Sequence, residues 1–342
     1  MSKAAICVVV PVYKAMATLD RCVESVLAQQ VEGGLTCILV DDGSPDESGA
    51  LCDAWAAKDD RVTVIHQDDL GVSGARNSGL AAADSEFIVF LDSDDALRPG
   101  ALQAALTAQR AAPQDFVVWH YTTDEKDPAA VTANSEPRTQ AGLARLWLDC
   151  LLAMPWNKLY RAGLAKQLQF DVQYTLGEDL QFVLDYIALL GQTVPEFGYR
   201  VMTSPLTFYD CSRGGTLSTR YHANYCDIWP KHFAKLNAAC HAAACPAEDM
   251  RPLHRAELQV FAEGVADIMR RDPSPTQRLK GYKAEAALRS PWLRALLERM
   301  KIEHCYSAYY LPCRWHNVGL VCRVDEARRA NAPLYGKLDW AG

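Results

Sequence analysis

The chain has 342 residues, 35 Lys+Arg against 42 Asp+Glu, and a formal charge of −7, a length that suits one large domain or two small ones. Hydrophobic residues make up 49% and charged residues 23%, which excludes a wholly disordered chain and supplies a sizeable core. The acidic balance argues against a nucleic-acid partner held by phosphate neutralisation.

Taken in order, Ile6–Val10 is a β-branched run of the kind buried on both faces of a sheet. Leu19, Cys22, Val23, Val26 and Leu27 repeat at helical spacing. Strands are then predicted over Ile38–Val40, Val62–Ile65, Phe87–Leu91 and Phe116–Trp119, with helices over Ala50–Lys58, Ser73–Ala83 and Ala101–Ala111 between them. This alternation predicts an α/β fold, a mostly parallel sheet flanked by helices, with the strands' C-terminal ends on the ligand-binding edge. Residues 123–138 read as a polar loop, Gly142–Leu152 as a helix, Trp156–Tyr160 as a short strand and Leu180–Leu190 as a helix. From Tyr221 to Arg271 the pattern is helical with a break near Cys245–Pro246, and Pro273 and Pro275 mark a linker. The expected division is a catalytic domain over 1–220, in two parts of about 1–122 and about 123–220, and a mainly helical C-terminal region over 221–342.

The 12 Cys are scattered singly, with no CxxC pair of the zinc-binding kind. Several lie inside apolar runs, as buried reduced thiols do, so a cytoplasmic protein is expected. The apolar run Ala4–Val12 is too short to span a bilayer and no leader-type cleavage region follows it. Near the end, Tyr306, Tyr309, Tyr310, Leu311, Trp315, Val318, Leu320 and Val321 interleave with Arg314 and Arg323. That tail suits packing on its own domain or a homodimer contact, and secondarily a peripheral membrane contact at the inner face of the membrane.

Carboxylates gather after two strands, in Asp41-Asp42-Gly43-Ser44 and in Asp92-Ser93-Asp94-Asp95. Crowded carboxylates repel, and a hard divalent ion such as Mg²⁺ or Mn²⁺ removes that cost. In Asp92-Ser93-Asp94 an extended backbone points both acids the same way, one to a metal and one to a sugar hydroxyl; the alternative is a turn or helix cap. Gly71 to Gly79 is rich in small residues that permit close approach to a ligand, and Arg76 within it could pair with a phosphate or a carboxylate. The stretch lacks the dinucleotide and Walker spacings. Glu178-Asp179 opens an apolar-periodic helix, where acids also complement the dipole.

In combination, Val10-Pro11-Val12-Tyr13, Val40-Asp41-Asp42-Gly43-Ser44, Ala75-Arg76-Asn77-Ser78-Gly79 and Phe90-Leu91-Asp92-Ser93-Asp94-Asp95 closely resemble the family-2 glycosyltransferases of GT-A fold, across roughly residues 4–220. Trp156-Asn157-Lys158-Leu159-Tyr160, Gly177-Glu178-Asp179 and the segment from Tyr209 through Arg213 to Ser218 extend the likeness. Asp69-Leu70-Gly71 departs from it, since many relatives carry Asn before this Gly.

The resemblance implies an inverting transferase with a nucleotide-sugar donor, most often a UDP-sugar, a divalent metal (Mn²⁺ or Mg²⁺), and a glycan or lipid-linked oligosaccharide acceptor in surface-polysaccharide synthesis. Carried over by motif, Pro11 and Tyr13 lie beside the base, Asp42 bonds its edge with Asp41 in support, and Arg76 sits near the uracil and diphosphate. Asp92 and Ser93 meet the ribose or donor sugar, and Asp94 ligates the metal. Asp179, with Glu178 second to it, is the base. Lys158 and Arg213 are candidates for neutralising phosphates, and Gly214-Gly215 suits a segment closing over the donor. A metal-dependent nucleotidyltransferase and a catalytically inactive glycan-binding or scaffold homologue are the alternatives.

Overall fold

A computed structural model describes residues 3–174, 176–212 and 220–331; Arg213, Gly214 and Gly215 lie outside the described residues. The chain divides into two compact units, residues 1–140 with 151–212, and residues 141–150 with 213–342.

The first unit is built on nine strands: β1 (Ala4–Val12), β2 (Leu35–Asp42), β3 (Val62–Gln67), β4 (Ser85–Phe90), β5 (Ala96–Leu97), β6 (Phe116–Thr122), β7 (Ser135–Arg138), β8 (Lys158–Arg161) and β9 (Tyr199–Phe208). They form one sheet in the order β3-β2-β1-β4-β8-β6-β9-β5, with β7 also beside β9. β1 sits between β2 and β4, parallel to both, and is buried from Ala5 onward. Its continuous apolar run needs that double cover, because full burial of each Val contributes about 1.5–3 kcal/mol. Pro11 lies beyond the last pair with β4, Val9 with Phe90, where a residue lacking N–H is tolerated.

Helices α1 (Leu19–Leu27), α2 (Ser48–Lys58), α3 (Gly71–Ala82) and α4 (Ala101–Ala111) fill the crossovers. α1 buries Leu19, Cys22, Val23 and Val26, the helical stripe read from the sequence. The Gly71–Gly79 stretch is α3 rather than a ligand-facing loop. A Cβ on Gly79 would stand 2.3 Å from Val9 Cγ1, and one on Gly74 would stand 2.4 Å from Leu70 Cβ. Gly79 thus lets α3 approach β1 closely, and Gly74 makes room for Leu70 at the start of the helix.

The sheet is continuously parallel over β3-β2-β1-β4. Beyond β4, β8 runs antiparallel to both β4 and β6, β9 runs parallel to β6, and β5 and β7 run antiparallel to β9. Expecting a mostly parallel sheet therefore holds for the N-terminal half and gives way to a mixed sheet in the other. β7 falls inside the stretch read as a polar loop.

α5 (Leu143–Leu148) belongs to the second unit, whereas α6 (Ala162–Ala165) and α7 (Glu178–Thr193) complete the first. α7 packs onto an aromatic cluster: Phe182 meets Phe90 at 5.8 Å and Tyr160 at 5.7 Å, and stacks on Phe170 at 4.0 Å. Edge-to-face and stacked pairs of this kind fix ring orientation, and with it the angle at which the start of α7 is presented.

The second unit is helical: α8 (Tyr225–Ala242), α9 (Ala247–Arg271), α10 (Gln277–Leu288), α11 (Pro291–Ile302), α12 (Tyr310–Arg314) and α13 (Val318–Asn331). The break between α8 and α9 falls where Cys245–Pro246 predicted it. Its core draws on Leu258, Phe261 and Val265 of α9 and Leu293, Leu296 and Met300 of α11. Tyr309, Tyr310 and Val321 of the aromatic tail join that core, while Tyr306, Leu311 and Trp315 stay exposed. Among the described residues, no helix is long and apolar enough to cross a membrane.

Candidate active site

Acidic groups stand where the parallel strands end. β2 terminates in Asp41 and Asp42, β1 runs into Tyr13, and β4 is followed by the turn Asp92-Ser93-Asp94-Asp95. This is the edge of an open α/β sheet at which ligands bind. The turn is tight, with the Asp95 N–H donating to the Asp92 carbonyl at 3.0 Å. Asp92, Ser93 and Asp94 are half-buried; Asp95 is fully buried and accepts the Asp210 N–H at 3.0 Å.

Arg76 enters this edge from α3. Its side chain is only 3% exposed, yet it carries two charge-assisted bonds, Nη2 to Asp92 Oδ1 at 2.8 Å and Nη1 to Asp179 Oδ1 at 2.6 Å. Glu178 Oε1 stands farther off, 4.0 Å from Nη1. The guanidinium also lies over the Phe170 ring at 5.4 Å. The next residue holds that ring in place: Asn77 Nδ2 donates to the Phe170 carbonyl and Asn77 Oδ1 accepts the Phe170 N–H, both at 2.8 Å. One turn of α3 thus supplies both the fork that joins two acids and the clamp beneath it.

Asp179 sits in the first turn of α7, behind Gly177, whose φ of 79° suits glycine. Leu180, Val183, Leu184, Ile187 and Leu190 bury the opposite face. Desolvation raises the Asp179 carboxyl to about 7; Arg76 opposes that rise, and Glu178 and Asp92 add to it. A carboxylate with 29% of its side chain exposed and an affinity for protons near neutrality suits general-base chemistry.

The remaining predicted residues fall in distinct places. Tyr13 is 44% exposed, with Lys14 Nζ 4.9 Å from its ring. Asp41 is buried; burial works to raise its carboxyl, but the Ser44 N–H at 3.1 Å and His66 Nδ1 at 3.0 Å outweigh it and hold it below the usual range. Asp42 Oδ1 accepts from Gln67 Nε2 at 2.7 Å and the Leu70 N–H at 3.0 Å, so it anchors the segment leading into α3. Pro11 is buried at the end of β1.

Lys158 is bonded into its own segment. It is fully buried and donates to the Leu151 carbonyl at 2.7 Å, the Met154 carbonyl at 2.5 Å and Asn157 Oδ1 at 2.6 Å. An ammonium has three N–H groups, so none remains for a phosphate. Burial pushes its pKa down, with Asp179 opposing.

Two further groups stand at the site: Arg21, which no sequence motif marked, and Tyr209, which opens the last stretch of family likeness. Arg21 of α1 donates through Nη2 to the Asp94 carbonyl and to Asp210 Oδ2, both at 2.6 Å. Tyr209 stacks on buried Trp156 at 5.4 Å, and Tyr121 meets both rings edge-on. Trp156 is therefore core, and Tyr209 is its half-exposed neighbour.

The half-parallel, half-mixed sheet with its acidic edge has a GT-A-type fold. Staphylococcus aureus TarS 1–349, solved in complex with UDP-GlcNAc, superposes with a TM-score of 0.64 at 16% identity over 97% of this chain and 93% of that one. The mannosyltransferase PcManGT of Pyrobaculum calidifontis, in complex with GDP-Man and Mn²⁺, gives 0.51 at 17% identity over 95% and 87%. Residues 7–169 match the family model described as Glycosyl transferase family 2. Glycosyltransferase GlyG of Streptococcus pneumoniae serotype 4 (strain ATCC BAA-334 / TIGR4) is 39% identical over 36% of this chain and 41% of its own. The putative glycosyltransferase EpsH of Bacillus subtilis (strain 168) is 31% identical over 51% and 52%. The succinoglycan biosynthesis protein ExoO of Rhizobium meliloti (strain 1021) is 33% identical over 56% and 58%. The chain thus spans about half the length of the curated relatives it matches.

Proposed function

We propose that the protein is an inverting glycosyltransferase that moves a sugar from a nucleotide-sugar donor, a UDP-sugar by preference, to a hydroxyl of a growing glycan or lipid-linked acceptor. The observation that carries this reading is the convergence of Asp179 and Asp92, from separate motifs, on Arg76. The family-model match over residues 7–169 and the nucleotide-sugar complexes of the two structural neighbours support it.

In this reading Asp179 takes the proton of the acceptor hydroxyl as that oxygen bonds to the anomeric carbon. The bond from that carbon to the diphosphate oxygen breaks on the opposite face, and the nucleoside diphosphate leaves with the electron pair. One displacement inverts the configuration and needs no enzyme nucleophile. Arg76 holds the Asp179 carboxylate in place and keeps Asp92 oriented toward the donor sugar. Tyr13, exposed beside the strand ends, is the platform for the base.

Asp92, Ser93 and Asp94 offer oxygens in half-buried positions, the chemistry a hard divalent ion prefers, so Asp94, with Asp92 beside it, fits such an ion. Bound there, Mn²⁺ or Mg²⁺ would offset the charge that grows on the leaving diphosphate. Lys158 takes no part at the phosphates and instead holds the 151–157 segment that precedes β8.

The test is proton NMR of the first product formed from an α-linked nucleotide-sugar. A β-linked product supports the single displacement, and an α-linked product contradicts it. Asp179→Asn, with donor binding kept, should slow transfer by about 10²–10⁴-fold.

A further inference from the structure

The helical unit brings three ligand-type side chains to one point, from positions whose spacing in the sequence gives no hint of it. His254 lies on α9 and is 1% exposed; Cys305 is equally buried, and Glu303 is 28% exposed. Glu303 caps α11, and His304 after it adopts a φ of 53°. The Cys305 N–H returns to the Met300 carbonyl at 3.0 Å, closing a left-handed helix stop. This stop folds Glu303 and Cys305 to the same side. Glu303 Oε2 then stands 2.7 Å from His254 Nδ1 and 3.6 Å from Cys305 Sγ, and the three donor atoms lie within 4.8 Å of one another.

We propose that His254 Nδ1, the Glu303 carboxylate and the Cys305 thiolate form a Zn²⁺ site that shares no residue with the acidic 92–95 turn. Imidazole and thiolate ligands favour zinc over Mg²⁺, whose preference is for carboxylate and water oxygens. Around a tetrahedral zinc ion the bond lengths place neighbouring donors about 3.5 Å apart. The Glu303–Cys305 separation already meets this, and the His254–Glu303 pair has only to open by less than about 1 Å. Glu303 reaches solvent, which gives the fourth position to water, so the site has three protein ligands and one open face. Binding releases one proton, that of the Cys305 thiol. The proton on the neutral imidazole moves from Nδ1 to Nε2.

Arg299 opposes that move. Its Nη1 lies 3.4 Å from His254 Nε2, which favours the tautomer with the proton on Nδ1, facing Glu303. Arg299 is exposed and is free to turn away when the metal arrives. The buried Glu257, one turn along α9 from His254, accepts from Asn237 Nδ2 at 2.7 Å. A bound ion would staple α9 to the turn after α11 and raise the unit's stability by mass action.

The probe is Co²⁺ added to the full chain, with Zn²⁺ and then excess Mg²⁺ as competitors. The expected result is a thiolate-to-cobalt charge-transfer band, with the visible bands of a tetrahedral ion, displaced by Zn²⁺ and untouched by Mg²⁺. Cys305→Ser should abolish the band, Cys245→Ser should leave it, and His254→Gln should weaken Zn²⁺ binding at least about tenfold, since even outer-shell changes cost about 10–100-fold. Arg299→Gln keeps all three ligands and should tighten Zn²⁺ binding. No charge-transfer band, or one that survives Cys305→Ser, would overturn the proposal and leave His254–Glu303 as an ion pair alone. Should Cys305→Ser fail to fold, unchanged Zn²⁺ affinity in Arg299→Gln would overturn it equally.

Discussion

Arg76 Nη1 and Asp179 Oδ1 lie 2.6 Å apart although 103 residues of chain separate them. The same guanidinium holds Asp92 at 2.8 Å, so the carboxylate proposed as base and the first acid of the 92–95 turn share one rigid, buried fork. The arginine that the family likeness assigned to uracil and diphosphate is here first a link between the two halves of the reaction. Replacing it by lysine keeps the charge and loses the fork. We expect Arg76→Lys to lower kcat/KM by on the order of 10²-fold, the cost of misplacing a reacting group, with circular dichroism unchanged. Full activity in a folded Arg76→Lys would show that the fork does not position the base.

The pH dependence follows from the same contacts. A base works only when deprotonated, and burial brings the Asp179 carboxyl to about 7. Below that pH, kcat/KM should fall about tenfold per unit, and above it level off. Arg76 pulls the carboxyl down, so Arg76→Gln should move the limb to higher pH. A limb near 4, the ordinary range of an aspartate, would mean that Asp179 is not desolvated during the reaction.

Lys158 separates a structural from a donor-binding role. Lys158→Met leaves the Leu151 and Met154 carbonyls and Asn157 Oδ1 without their donor, and a buried acceptor left unpaired costs about 1–3 kcal/mol. Unfolding in urea should reveal a loss of at least that size, while affinity for the nucleotide-sugar measured by calorimetry stays the same. Weaker donor binding with unchanged stability would return Lys158 to the phosphates.

Two glycines give opposite signs. Gly79→Ala drives a methyl into Val9 on β1, an overpacking that costs about 1–3 kcal/mol. Gly281 lies within α10, and a methyl added there would meet nothing within 4 Å; Gly281→Ala should stabilise by about 0.5–1 kcal/mol. Paired denaturation curves check both.

The donor half of the fold was legible because its strands are apolar runs with no competing pattern, from Ile6–Val10 to Phe87–Leu91. β9 was not. Pro205 interrupts its ten residues, and the register with β6 shifts around His120 to admit it, so local propensity argued against a strand that tertiary pairing makes. β5 has two residues and β7 contains Pro137, too little for any periodicity. At the site, the acids could be read from their place after strands. Their joining through Arg76 could not, because only the folded sheet brings α3 beside α7. The glycines of Gly71–Gly79 resembled a ligand-binding loop because close packing against a strand calls for the same small residues. The position of Lys158 was hidden because an invaginated lysine and a phosphate-binding one look alike in a motif.

Nucleotide-sugar transfer is tested most directly by binding and slow hydrolysis across UDP-, GDP-, CMP- and dTDP-sugars, each with and without Mn²⁺ or Mg²⁺. The account predicts turnover of one donor, a UDP-sugar, that depends on the cation and falls away in Asp94→Ala. Failure of the folded protein to bind any of these donors with the cation present would contradict it.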